Sequence, residues 1–166
     1  MDSVTLHTVQ EPLKAKYRNE PGAALITLKA SSKVGEGITC KIETGKSLVE
    51  AGLHPATGGD GLSACSGDML LEALAACAGV TLKAVATSID FNFEEASVEV
   101  EGDLDFRGTL SVDRNAPVGF KEIRLNFRLK TLESPEKIAT LLKLTERYCV
   151  VYQTLTTANT VKVSNS

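Results

Sequence analysis

The chain has 166 residues, and 18 basic against 21 acidic side chains give it a formal charge of −3. A chain of this length forms one domain or two closely packed halves, and folding hides roughly 70% of the surface that it exposes when unfolded. With 43% hydrophobic and 23% charged residues, the composition is globular rather than disordered. The slightly acidic charge and the lack of Trp argue against nucleic-acid binding, which uses basic patches and stacking aromatic side chains.

The N-terminal residues lack the basic and apolar regions of a signal peptide, so the sequence predicts a cytoplasmic protein. The stretch 69–89 is apolar, but it includes Glu72 and Lys83, and charges near the centre of a membrane helix are costly. We therefore expect this stretch to be a buried helix of a soluble protein, with no membrane partner.

The cysteines do not form a recognisable disulfide or metal pattern. The chain has four of them: Cys40, Cys65, Cys77 and Cys149. No two are spaced as C-x-x-C, and the two histidines, His7 and His54, are far apart, so we expect no structural zinc site. In a reducing compartment the cysteines are free thiols unless chemistry uses them.

The N-terminal third reads as strands followed by a loop. A turn at Glu20-Pro21-Gly22 predicts a hairpin of strands 13–18 and 23–30, and the alternation of Ile38, Cys40 and Ile42 predicts a third strand over 37–44. Residues 51–67 are rich in Gly, Pro, Ala, Thr and Ser, which predicts a long loop.

A long helix is predicted next, over 67–87, with Ser66 as its N-cap and Asp68 in its first turn. Its apolar residues cover most of the circumference. A helix of this kind is buried on most sides, by sheet, by other helices or by a second subunit.

The remaining pattern is strand, strand, helix, helix, strand. Alternation predicts strands over 97–106 and 120–130, joined by a long connection. Ser134-Pro135 predicts the start of a second helix that runs to Arg147. A short helix over 150–155 and a closing strand over 157–163 follow. Two-residue alternation indicates antiparallel sheets with one wet face, and hence an α+β fold.

Two of the cysteines lie in recognisable local motifs. The first motif is Leu70-x-x-Ala73-x-x-Ala76-Cys77, and the second is Tyr148-Cys149-x-Val151-x-x-Thr154-Leu155. Together they resemble the OsmC/Ohr family of thiol peroxidases, and the order of the predicted elements agrees over most of the chain. The resemblance implies a single domain over 1–166, with strands and a loop in about 1–66 and the long helix, strands, second helix and final strand in 67–166.

The resemblance further implies an intertwined homodimer whose antiparallel sheets surround long central helices. It implies a peroxidase that reduces organic hydroperoxides without a cofactor. Cys77 would be oxidised to a sulfenic acid and Cys149 would resolve it as a disulfide, which a dithiol or lipoyl-type reductant would then reduce.

For Cys77 to react as a thiolate, a cationic partner must lower its pKa. It lies about three turns into the predicted helix, beyond the reach of that helix's N-terminus, and apolar surroundings raise a thiol pKa. The resemblance implies an activating arginine, for which Arg18 is the candidate and His54 the nearest substitute. The family's bracing glutamate, ten residues before Cys77, is Gly67 here, with Asp68 beside it.

Cys65 is an addition to the family pattern. Twelve residues from Cys77, it is too distant for a disulfide within one unbent helix, and it would be a third redox thiol only across a subunit interface. Two alternatives to a peroxidase remain on the same fold: a non-catalytic protein that binds a small apolar or acyl ligand, and a redox sensor that forms the disulfide but is recycled slowly.

Overall fold

The computed structural model describes residues 2, 4–5, 8, 10, 19, 31–34, 39–43, 48–111 and 113–165, and for 31–34, 39–43 and 48 it describes the backbone. The hairpin predicted over 13–18 and 23–30, with the candidate Arg18, lies outside these residues. The elements in chain order are β1 (Ser31–Val34), β2 (Thr39–Glu43), β3 (Leu48–Gly52), β4 (Ala64–Cys65), α1 (Ser66–Ser88), β5 (Glu95–Leu104), α2 (Phe106–Thr109), β6 (Phe120–Lys130), α3 (Pro135–Tyr148) and α4 (Val150–Thr156). The chain combines helices with largely antiparallel sheets, which confirms the α+β class.

The chain divides into two compact units that interleave in sequence. One unit takes residues 1–13, 73–99 and 126–166, and the other takes residues 14–72 and 100–125.

The second unit contains a four-stranded sheet in the order β1-β2-β3-β4. β1 and β2 pair antiparallel with Ser31 opposite Glu43, and β2 and β3 pair antiparallel with Thr39 opposite Gly52. β2 confirms the strand predicted over 37–44. The expectation of purely antiparallel sheets is wrong at one edge, where the two residues of β4 run parallel to β3.

The remaining strands, β5 and β6, form a two-stranded sheet. Ion pairs link Arg124 to Asp103, Arg128 to Glu99 and Lys130 to Glu94, at 2.5, 2.8 and 2.6 Å. Because the residue numbers rise along one strand as they fall along the other, the two strands are antiparallel. The bounds agree closely with the predicted strands 97–106 and 120–130. The charged side chains form the solvent-exposed face of the sheet, as predicted.

Two helices, α1 and α3, carry the core of the first unit. The hydrophobic core is a cluster of buried side chains, in which α1 contributes Leu82, Val85 and Ala86. They pack with Phe91 and with Leu141 of α3. α3 begins as predicted, because the Ser134 side chain accepts a hydrogen bond from the Lys137 N–H and Pro135 takes the first helical position. The short helix predicted after Cys149 is also confirmed as α4.

α1 confirms the predicted long helix but not the predicted extent of its burial. Its buried residues lie on one face: Leu74, Ala78, Leu82, Val85 and Ala86. On the opposite face Val80 is 73% exposed and Ala73, Ala76 and Ala84 are exposed. The single chain buries one face of α1, and the expectation of burial on most sides stays a prediction, because a second subunit is one of the coverings considered. By length and composition alone α1 is also apolar enough to cross a membrane, and its residues Leu82, Val85 and Ala86 belong to the core cluster.

The closing strand predicted over 157–163 is wrong. Residues after Thr156 have no strand structure, and Val161 and Val163 are 83% and 93% exposed. The two-residue alternation is present, but a strand exists only where its backbone pairs with the edge of a sheet, and no described strand offers that edge. Asn159 instead turns back and donates hydrogen bonds to the carbonyls of Thr154 and Thr157.

Candidate functional site

The two cysteines of the motifs meet within the first unit. Cys77 is half-buried on α1, and Cys149 is 1% exposed in the one-residue break between α3 and α4. The Cys149 N–H donates to the Thr145 carbonyl at 2.9 Å and so closes α3, while Cys149 is also the N-cap residue of α4. Both cysteines are free thiols, and they are near enough for each to shift the pKa of the other.

The Cys77 sulfur is surrounded by hydrogen-bond donors. Burial raises the pKa of the Cys77 thiol, but hydrogen bonds from the Val151 backbone, the Cys149 thiol, the Thr81 hydroxyl and the Val150 backbone outweigh burial and lower this pKa below its ordinary value. Val150 and Val151 are the first two residues of α4, whose N–H groups have no partner within their own helix. Cys149 is the N-cap residue of α4, but its side chain makes no capping hydrogen bond. The Cys77 sulfur acts as the acceptor for these N–H groups instead.

The pKa of Cys149 is shifted in the opposite direction, above its ordinary value. Burial raises its pKa, and the hydrogen bond and negative charge of the neighbouring Cys77 raise it further, against a lowering hydrogen bond from the Tyr152 backbone. Cys77 therefore has the lower pKa of the two neighbouring thiols and ionises first, while Cys149 keeps its proton.

The expectation that Cys77 needs a cationic partner stays a prediction, because Arg18 lies outside the described residues. The N-terminus of its own helix is indeed too far away. The donors come instead from the first turn of α4 and from Thr81, and none of the described groups that shift this pKa is a cation. Sequence reasoning missed Thr81, Val150 and Val151. The available signals were the four-residue spacing of Thr81 from Cys77 and the predicted helix start directly after Cys149.

The other described candidate residues lie in the second unit. His54 accepts a hydrogen bond from the Ala56 N–H at 3.0 Å and stacks on Phe106, with ring centroids 4.9 Å apart. Asp68 is exposed in the first turn of α1, and Cys65 is a half-buried free thiol at the end of β4. Cys40 lies in β2. Among the residues that the structure describes, no three His, Cys, Asp or Glu side chains are grouped as metal ligands.

Comparison with known proteins identifies the family. Residues 58–164 match the model of the family described as OsmC-like protein. The chain belongs to the OsmC-like family. This membership confirms the OsmC-like α+β fold. No curated protein matches the chain.

Solved structures of the OsmC-like fold are similar to this chain at low sequence identity. The OsmC like protein from Mycoplasma pneumoniae has a TM-score of 0.65 and 16% identity, over 78% of this chain and 87% of that one. The organic hydroperoxide resistance protein OsmC from Legionella pneumophila has a TM-score of 0.63 and 19% identity, over 80% and 91%. The organic hydroperoxide resistance protein from Elizabethkingia anophelis has a TM-score of 0.63 and 17% identity, over 80% and 90%.

Proposed function

We propose that the protein is a thiol peroxidase that reduces organic hydroperoxides, with Cys77 as the nucleophile and Cys149 as the resolving thiol. The observation that carries this proposal is the contact of two free thiols whose pKa values are shifted in opposite directions. A peroxidase of this type needs one thiolate to attack the peroxide and a second, protonated thiol beside it. An inert buried cysteine would have a raised pKa and no such partner.

The reaction consumes one hydroperoxide and two thiols. The Cys77 thiolate attacks the terminal oxygen of R–O–OH, the O–O bond breaks, and the alkoxide takes a proton to leave as an alcohol. Cys77 is then a sulfenic acid. The Cys149 sulfur attacks the Cys77 sulfur, the S–O bond breaks, and water leaves as the disulfide forms. An external dithiol reduces this disulfide by thiol–disulfide exchange and is itself oxidised.

Several parts of the proposal rest on the family alone. They are the organic nature of the peroxide, the dithiol or lipoyl-type reductant, the cytoplasmic location and the role of Arg18. Arg18 would add a positive charge beside the Cys77 thiolate, whose described partners are all neutral donors. The proposal does not depend on Asp68, His54 or Cys65 as accessory residues.

We further propose that the protein is an intertwined homodimer. The described α1 helix exposes a stripe of apolar side chains at Ala73, Ala76, Val80 and Ala84, spaced so that they lie on one helix face. A contiguous exposed apolar face of this kind indicates a protein contact. A second copy of the chain would cover it and supply the burial that the sequence predicts for this helix.

Mass spectrometry of the reduced protein, before and after one equivalent of an alkyl hydroperoxide, tests the proposed chemistry. We expect rapid loss of two mass units and a Cys77–Cys149 cross-link in the digest. Cys65→Ser is the matched control and should react like the parent. Cys77→Ser should abolish turnover, and Cys149→Ser should be oxidised once without turning over. If Cys77→Ser and Cys149→Ser turn over peroxide like the parent, the proposal is wrong.

A second candidate function, the binding of a small apolar or acyl ligand, is favoured by a cleft beside α1. The cleft has a volume of about 410 Å³ and is lined by Ala75, Ala76 and Gly79 of α1 and by Phe93 and Val98. Thiols that stay unchanged for minutes in the peroxide experiment would favour this function. A disulfide that forms but is not reduced at a useful rate would favour a redox sensor.

A further inference from the structure

The break between α3 and α4 changes the hydrogen-bond partner of one α3 carbonyl. In a continuous helix the N–H of residue 150 would donate to the carbonyl of Glu146, four residues earlier. Val150 instead begins α4. The Glu146 carbonyl accepts a hydrogen bond at 2.9 Å from the side-chain amide of Gln153, in the first turn of α4. The Gln153 side chain therefore satisfies, across the break, a carbonyl that the end of α3 leaves without its usual helical donor.

Gln153 is also bonded to the residue that forms the break. Its backbone N–H donates to the Cys149 carbonyl at 2.9 Å, and the Cys149 N–H donates to the Thr145 carbonyl at 2.9 Å. The backbone of Cys149 is thus bonded to α3 on one side and to α4 on the other. Gln153 takes part in both the bond to Cys149 and the bond that returns to Glu146.

These bonds meet at the point where the direction of the chain changes. Cys149 has an extended backbone, with ψ at 108°, between two helices. Rotation about its backbone dihedrals would turn α4 relative to α3 and would move the Cys149 side chain with it. In the described part of the chain, the bond from Gln153 to Glu146 is the one side-chain hydrogen bond between α3 and α4. It therefore restricts this rotation directly, at a residue whose thiol is 1% exposed and has a defined place in the interior.

We propose that Gln153 is a positioning residue for the Cys149 thiol, because its side-chain amide holds the break between α3 and α4 at one angle. The consequence for catalysis rests on the proposed peroxidase function, in which Cys149 resolves the oxidised Cys77. The hold on the break does not, because it follows from the hydrogen bonds of the break itself.

The test uses two substitutions at Gln153 and a matched control beyond α4. Gln153→Met keeps the length of the side chain without a donor, and Gln153→Glu replaces the amide by a carboxylate, which accepts only. Asn159→Asp makes the same exchange at a residue whose amide donates to the Thr154 carbonyl, away from the break. Gln153 and Asn159 are both exposed, so none of these changes disturbs the core.

The readout is the equilibrium between the Cys77–Cys149 disulfide and the two thiols in mixtures of glutathione and glutathione disulfide. As the two protein thiols become one disulfide, one glutathione disulfide becomes two glutathione molecules. The samples are quenched with acid, and peptide mass spectrometry gives the fraction of each form. This equilibrium reports how well the two thiols are held together, and it requires no peroxide.

Both Gln153 variants should lower the equilibrium constant for the disulfide by about fivefold, the effect of one hydrogen bond of ordinary strength. An unheld break lets the reduced Cys149 adopt orientations that it must give up when the disulfide forms. Asn159→Asp should keep the constant of the parent. A parent value in Gln153→Met would overturn the proposal, and so would an equal fall in Asn159→Asp.

Peroxide consumption by the parent is measured separately. A parent that forms the disulfide with glutathione disulfide but consumes no peroxide would contradict the proposed function alone. An unchanged constant in the Gln153 variants of a parent that does consume peroxide would contradict the role of Gln153 alone. A parent that forms no Cys77–Cys149 disulfide under any of these conditions would overturn both.

Discussion

At the scale of single residues, the lowered pKa of Cys77 results from where neutral donors are placed. Hydrogen bonds from Thr81, from the Cys149 thiol and from two backbone amides outweigh the burial that would otherwise raise the Cys77 pKa. The sequence motif predicts that the two cysteines act together. It does not reveal the backbone donors, because every non-proline residue carries an N–H group and only the fold decides which sulfur it faces.

The opposite pKa shifts of the two thiols predict a difference in their reaction with iodoacetamide. The thiolate is the reactive form, so a lowered pKa moves the rise in rate to lower pH and a raised pKa moves it to higher pH. In the parent protein, the pH midpoint of Cys77 alkylation should lie below the midpoint of the same cysteine in unfolded protein, and the midpoint of Cys149 should lie above its own unfolded value.

Urea-unfolded protein is the control for this measurement, since the two cysteines should then react alike. A Cys77 midpoint in the folded protein that equals or exceeds its midpoint in urea would show that the donors do not activate this thiol.

At the scale of elements, the helices follow their local sequence signals more closely than the strands do. α3 starts where a capping serine precedes a proline, and its buried residues Leu141 and Thr145 are one turn apart. The segment 157–163 has a strand pattern without becoming a strand. A helix satisfies its own backbone hydrogen bonds, whereas a strand needs a partner that local sequence cannot specify.

The N-cap of α3 is expected to contribute measurably to stability. Ser134→Ala removes the acceptor of the Lys137 N–H and should lower the free energy of unfolding by about 1 kcal/mol. Ser134→Asp keeps an acceptor at this position and should remain close to the parent. Urea unfolding followed by circular dichroism measures both variants, and a Ser134→Ala curve that coincides with that of Ser134→Asp would contradict the expectation.

At the scale of the whole molecule, the exposed face of α1 is the feature that a single chain leaves without a covering. Its small residues would let another helix approach closely, and Val80 at 73% exposure would be the largest apolar side chain of the stripe. Free exposure of this face would also favour aggregation.

The proposed homodimer can be tested by the mass of the protein in solution. Analytical ultracentrifugation should give twice the chain mass of 17.6 kDa for the parent. Val80→Glu should shift the protein toward the monomer, because it places a charge in an apolar contact. Thr140→Glu, on an exposed position of α3, is the control and should leave the mass unchanged. A parent that sediments as a monomer would contradict the proposal.

The sequence by itself determined the OsmC-like family, the α+β class and the helices α1, α3 and α4. It also singled out Cys77 and Cys149 as the two candidate cysteines. These follow from periodicity, capping residues and short motifs, all of which act over a few residues. Only the tertiary structure decided that the first turn of α4 lies beside Cys77, that the Cys77 pKa is lowered while the Cys149 pKa is raised, and that the last segment forms no strand. Those outcomes depend on which groups face each other after folding, and residues as distant in sequence as Cys77 and Val151 come into contact only then.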